Sequence, residues 1–168
     1  EEGGYHHYAT YLKRQIQVEA EEKVPEGKMA KLLYDMYQPD CAKYAVESDV
    51  PQIYELLLEN FDLQADHIPS EDDLLQIVKE KEVMIYKIGD KIECFFIYRR
   101  EGKKLYCAFS YNHASADILY SIERRVKEIE YEENGIKMHY AWFNAKNKKA
   151  LRRNAWKDTK IRDYIFVK

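Results

Sequence analysis

Residues 83–143 constrain the fold more than any other part of the chain. Val83–Ile88, residues 92–99 and residues 105–110 are runs of β-formers separated by Gly89-Asp90-Lys91 and Glu101-Gly102-Lys103. Glycine-containing turns this short join strands as antiparallel hairpins. The next segment, 115–133, repeats Ile118, Ile122, Val126 and Ile129 at helical spacing and stops at Asn134-Gly135, a left-handed C-cap signature. Residues 136–143 then form another strand. A long helix between strands of one sheet carries the chain back to the same end, so strand 136–143 runs parallel to its partner. The expected fold class is α/β of the α+β kind: a mixed, mainly antiparallel sheet with one β-α-β crossover and helices on both faces.

The flanking residues fill in the order. Residues 42–46 read as a short strand, and Ser48-Asp49 cap a helix with Pro51 in its first turn and Ile53, Leu56, Leu57 and Phe61 on one face. Pro69-Ser70-Glu71-Asp72-Asp73 opens a second helix, with Ser70 and Asp73 spaced as a capping box. After the crossover come a helix over 146–156 and a strand over 163–167. Residues 41–168 thus read β-α-α-β-β-β-α-β-α-β and form the main domain. Residues 1–40 are an N-terminal extension. They hold a Tyr-rich strand over 5–12 and a helix carrying Met29, Leu32, Leu33 and Met36. This extension reads as a cap, an added edge strand, an extra hairpin, or the tail of a preceding domain, and the absence of an initiator Met fits an excised piece. An aromatic edge of that kind suits pairing, either in a homodimer or within a larger multidomain protein.

With 168 residues, 46% of them hydrophobic, the chain can bury a core without disulfides or metals. The net charge of −3 argues against a nucleic-acid partner, and the apolar runs are too short and too interrupted to span a bilayer. Cys41, Cys94 and Cys107 are odd in number and lack CxxC spacing, as reduced thiols of a cytoplasmic protein would be. No metal-ligand spacing, nucleophile elbow, Walker loop or dinucleotide glycine motif occurs. Tyr supplies 15 residues. Buried phenols need hydrogen-bond partners, so this is a chain with polar contacts at its apolar surfaces.

The run Ala45-Val46-Glu47-Ser48-Asp49-Val50-Pro51-Gln52-Ile53 and the run from Tyr140 to Leu151 (YAWFNAKNKKAL), in this order, resemble the GCN5-related N-acetyltransferase (GNAT) superfamily over about residues 41–168. The resemblance implies an acyl-coenzyme-A-dependent N-acyltransferase. Acetyl-coenzyme A would lie in a wedge between strands 105–110 and 136–143, its pyrophosphate on the N-terminus of the helix after strand 105–110. Unpaired donors and the helix dipole favour phosphate there. On this basis Phe109, Tyr111, Ala114, Ser115 and Ala116 are cofactor-binding candidates, and Asn147 is the residue expected to bond the pantetheine arm. The chain departs from the family pattern in three places. Ala114 replaces a glycine, Asn154 stands where a proton-donating Tyr is usual, and Asp158-Thr159 replaces Gly-Phe.

An attacking amine needs a general base, for which Glu93, His113 and His139 are candidates, and Tyr140 is the fallback proton donor. Residues 47–82 carry eleven acids and two lysines, which would attract a cationic amine. A small-molecule amine, a protein N-terminus or a lysine side chain are the expected acceptors. Lys148, Lys149, Arg152 and Arg153 form a basic helix suited to coenzyme A phosphates. The alternative is a GNAT-fold domain that binds a ligand or protein without catalysis.

Overall fold

The computed structural model describes residues 2–152 and 155–168. Its strands are β1 (His6–Gln17), β2 (Lys43–Tyr44), β3 (Val83–Ile88), β4 (Lys91–Glu101), β5 (Lys104–Asn112), β6 (Met138–Asn144) and β7 (Lys157–Val167). The helices are α1 (Lys28–Asp35), α2 (Val50–Asn60), α3 (Glu71–Lys79), α4 (Ala116–Asn134) and α5 (Lys148–Leu151). All strands form one sheet in the order β2-β3-β4-β5-β6-β1-β7, antiparallel except for the pair β5–β6. The predicted mixed sheet with a single crossover is thus observed.

Each face of the sheet carries its own core. On one side Ile53, Leu57, Leu74 and Ile77 from α2 and α3 pack against Ile85, Phe95, Ile97 and Phe109. On the other, Ile118, Ile122 and Val126 from α4 pack against Phe96, Tyr98 and Leu105. Alternation along β4 explains how one strand serves both cores, since successive side chains point to opposite faces. Gly135 ends α4 at φ 65°, the left-handed geometry expected of it. Ser70 Oγ accepts the Asp73 N–H at 3.1 Å, capping α3. Asp49 does not cap α2. Its carboxylate turns back to accept the Val46 N–H and pairs with Lys87.

Four expectations need correction. The N-terminal strand lies inside the sheet, between β6 and β7, and not at an edge. The edge is β7, which leaves Ile161, Tyr164 and Phe166 exposed. The helix expected over 146–156 is the single turn α5, and β7 begins at Lys157 instead of residue 163. Polar side chains hold that early start of β7: Thr159 Oγ1 donates to the Lys13 carbonyl at 2.7 Å, and Asp158 accepts the Lys160 N–H at 2.8 Å. The expectations for Arg153 and Asn154 lie outside the described residues. Finally, β5 runs to Asn112, so Tyr111 belongs to the strand and not to the loop after it.

Candidate functional site

The parallel pair β5–β6 is in register only over Lys104–Met138, Leu105–His139 and Tyr106–Tyr140. Beyond these residues each strand keeps its other neighbour. β5 continues along β4 to Asn112, and β6 continues along β1 to Asn144. The two strands therefore splay into a wedge. A β-bulge is the local cause. Ile97 pairs with Phe109 and Tyr98 with Cys107, which leaves Ala108 unpaired. An extra residue on one strand bends it and increases its twist. It also reverses the facing of the side chains beyond the bulge. Leu105 and Cys107 pack on the α4 side, whereas Phe109 and Tyr111 pack on the α2/α3 side.

A cavity of about 730 Å³ fills the wedge and is lined by residues from both faces of the sheet. On the α2/α3 side its wall combines acids and phenols. Tyr11 donates to Asp66 and Tyr140 to Glu101, while Asp62 accepts from Tyr8, which stands behind the lining. Tyr106 stacks on Tyr140 with ring centroids 5.1 Å apart, and Lys13 Nζ sits 4.4 Å above the Tyr140 ring. Burial, then the Glu101 carboxylate, raise the Tyr140 pKa, and burial with Asp66 does the same for Tyr11. Both phenols hold their protons at neutral pH.

On the α4 side the cavity meets Cys107, His139, Glu123 and Lys127. His139 is 2% exposed, its Nδ1 lies 3.9 Å from Cys107 Sγ, and its Nε2 has no hydrogen-bond partner among the described residues. Burial, helped by the Lys127 charge, pushes the imidazole pKa down to about 3. Between that value and about 6.5 the unfolded chain binds a proton here that the native chain does not. This contribution to stability is therefore present above pH 6.5 and is lost as pH falls, by up to about 1.4 kcal/mol per pH unit. Urea denaturation at pH 7, 6 and 5 should show that slope as the difference between wild type and His139→Gln. Parallel pH curves for the two proteins would contradict it.

The sequence-predicted residues divide between this cavity and other places. Phe109, His139, Tyr140 and Asn147 line it. Glu93 and His113 pair with each other instead, at 2.8 Å, with Lys91 also 3.5 Å from Glu93; the bond to His113 lowers the Glu93 pKa. Tyr111 packs against Phe95 with ring centroids 5.4 Å apart. Ala114 packs on the α4-side core, and Asn112 Oδ1 takes its N–H at 3.0 Å. In the first turn of α4, the Ile118 N–H goes to the Ser115 carbonyl, and the buried Asp117 accepts from Gln38 Nε2 at 3.2 Å. The N-terminal segment thus lies against that turn, and a carboxylate occupies part of its positive field. Ser115 and Ala116 flank this turn and do not line the cavity. Asn147 Oδ1 accepts the Ala150 N–H at 3.1 Å, so it caps α5 while facing the wedge.

The sequence reading missed Cys107, Tyr106, Asp62, Asp66, Glu101 and Tyr11. Only the spacing of Tyr8 and Tyr11 on one β-rich segment, opposite an acidic stretch, hinted at their pairing. Among the described residues no cluster of His, Cys, Asp and Glu could hold a metal ion, and no helix is long and apolar enough to cross a membrane.

No family model matches the sequence, and no curated protein matches it. Solved structures do match in shape. A GCN5-related N-acetyltransferase from Sphaerobacter thermophilus superposes with a TM-score of 0.64 at 17% identity, covering 97% of this chain and 52% of its own. One from Kribbella flavida gives 0.53 at 11% identity, covering 97% and 38%. A GNAT-family acetyltransferase from Colwellia psychrerythraea gives 0.54 at 11% identity, covering 96% and 56%. The chain therefore spans about half the length of the first of these structures. The splayed β5–β6 pair, the crossover helix α4 between them and these superpositions agree: the chain has the fold of the GCN5-related N-acetyltransferases.

Proposed function

We propose that the protein transfers an acyl group from an acyl-coenzyme A thioester to a cationic amine. The observation that carries this reading is the wedge. Past Tyr106 and Tyr140 the facing edges of β5 and β6 have no strand partner among the described residues. Backbone N–H and C=O groups left open in this way suit an extended amide-bearing arm, as they would suit another strand. Phe109 and Asn147 are the residues best placed to hold such a donor in the cavity. When bound, the donor supplies an activated carbonyl. The chain's own part is to orient that carbonyl, attract the amine and handle protons. Asp62, Asp66 and Glu101 provide the negative field for an ammonium group, and the ring of Tyr106 provides cation–π contact. Tyr140, protonated and bonded to Glu101, is the candidate donor to a leaving thiolate.

A second reading, a ligand-binding domain without turnover, is favoured by the first turn of α4. The Ala114 N–H is already bonded there, and Asp117 adds an anion where a pyrophosphate would need cations. Thermal unfolding with acetyl-coenzyme A separates these readings from no binding at all. A ligand at 100 times its dissociation constant adds about 2.7 kcal/mol, which for a chain of this size is a rise in Tm of about 5–10 °C. The donor reading expects that rise, together with thiol release when an amine is added. A flat titration to millimolar concentration would overturn it. A rise without thiol release across a panel of amines would favour the second reading.

A further inference from the structure

We propose that Cys107 is a nucleophile that carries the acyl group as a thioester, with His139 as its base; this rests on the acyl-donor reading above. Cys107 follows Tyr106, the last residue in register with β6, so it stands at the vertex of the wedge. The bulge at Ala108 begins immediately after it and turns the strand away from β6. The thiol is partly exposed and lines the cavity. His139 reaches it from the neighbouring strand, with Nδ1 3.9 Å from Sγ. Nucleophile–base contacts are commonly loose before substrate tightens them.

The second, independent observation is the far side of the imidazole. His139 is almost wholly buried, lines the same cavity, and its Nε2 lacks any partner among the described residues. A buried polar atom left unsatisfied is costly, and a bound carbonyl oxygen would remove the cost. With Nδ1 accepting from the thiol, the proton of the neutral ring sits on Nε2 and is available to such an oxygen. Burial opposes charging this imidazole. A thiolate forming beside it opposes that penalty by direct attraction, which is strong inside a cavity of low dielectric.

The chemistry balances without any oxidant or reductant. Sγ attacks the thioester carbonyl carbon while its proton passes to His139 Nδ1. The new bond from carbon to Cys107 forms, the bond to coenzyme A sulfur breaks, and the proton moves on from His139 to the departing thiolate, a delivery that replaces the one from Tyr140 in direct transfer. One thioester has been exchanged for another. The amine then attacks the acyl-Cys107 carbonyl, forming the amide and returning the thiol, with its surplus proton released through His139. Asp62 and Asp66 line the same cavity from its α2/α3 side.

The test is mass spectrometry of the chain incubated with acetyl-coenzyme A and no amine, quenched in acid and mapped by peptides. The expected result is one acetyl group on the peptide containing Cys107, removed by hydroxylamine. Cys41 and the buried Cys94 should remain unmodified. Cys107→Ala should abolish the adduct, and His139→Gln should slow its formation about a hundredfold, the usual contribution of a general base. Both variants should retain the rise in Tm with acetyl-coenzyme A, which shows that they fold and bind. A rise in Tm with an unmodified Cys107 would overturn the proposal while leaving the acyl-donor reading intact. Equal modification in urea, or wild-type transfer to an amine by Cys107→Ala, would overturn it as well. No rise and no adduct would remove both together.

Discussion

Replacing Arg100 by methionine is expected to cost about 3–5 kcal/mol of folding free energy, the usual penalty for removing one member of a buried ion pair. Glu130 is fully buried and accepts from Arg100 Nε at 2.8 Å and Nη2 at 2.7 Å. The same guanidinium donates to the carbonyls of Glu80 and Lys81 at 3.0 and 3.1 Å. It therefore ties β4 to the last turns of α4 and to the link between α3 and β3. Glu130 also closes the crossover, since its carbonyl accepts the Ile136 N–H at 3.1 Å just before β6 begins. Methionine fills the volume and leaves a carboxylate without its countercharge. Urea unfolding at unchanged m value would measure the loss, and Tm should fall by roughly 6–20 °C. The double variant Arg100→Met with Glu130→Leu should recover much of the stability, because replacing both charges with apolar groups removes the desolvation problem. A single-variant loss below about 1 kcal/mol would show that the pair contributes little.

Ser110→Trp is expected to abolish acyl-donor binding while leaving the fold intact. Ser110 is exposed, lines the wedge and pairs with Phe96, which places it on the α4 side. A surface substitution of this kind usually changes stability by no more than about 0.5 kcal/mol. The indole would occupy space between the splayed strands, so affinity for acetyl-coenzyme A should fall at least about a hundredfold, or about 2.7 kcal/mol. The readout is the ligand-induced rise in Tm, which should vanish at concentrations that saturate the wild type. An undiminished rise would mean that the donor binds outside the wedge. Comparing the variants without ligand keeps a folding defect from passing for a binding defect.

Much of the sheet was legible because its signals are local. The hairpins of residues 83–110 announce themselves through glycine turns, and Gly135 ends α4 where its freedom at positive φ is needed. The wedge was expected from the resemblance, but its vertex could not be located. Leu105-Tyr106-Cys107-Ala108-Phe109 reads as one unbroken strand, yet the unpaired Ala108 inverts its facing. That inversion sends Cys107 toward His139 and Phe109 toward Phe61, whose ring centroid lies 5.1 Å away. By sequence Tyr111 falls in the loop, because nothing in its own neighbourhood reveals that Phe95, on the adjacent strand, pairs with it.

The remaining misses share one cause. β1 has no clean alternation, because both of its faces are half-covered and both of its edges are paired. Its partners are distant, with Tyr11 opposite Asn144 on one side and Asp163 on the other. Asp62 and Asp66 looked like a solvated acidic surface until Tyr8 and Tyr11 were brought over them. Hairpins, helix ends and the crossover arise from residues adjacent in the chain, where backbone geometry and side-chain periodicity act over a few positions. Which strand lies beside β6, where β5 leaves it, and which thiol meets which imidazole were decided only by tertiary structure, because those contacts join residues whose separation along the chain leaves no periodic trace.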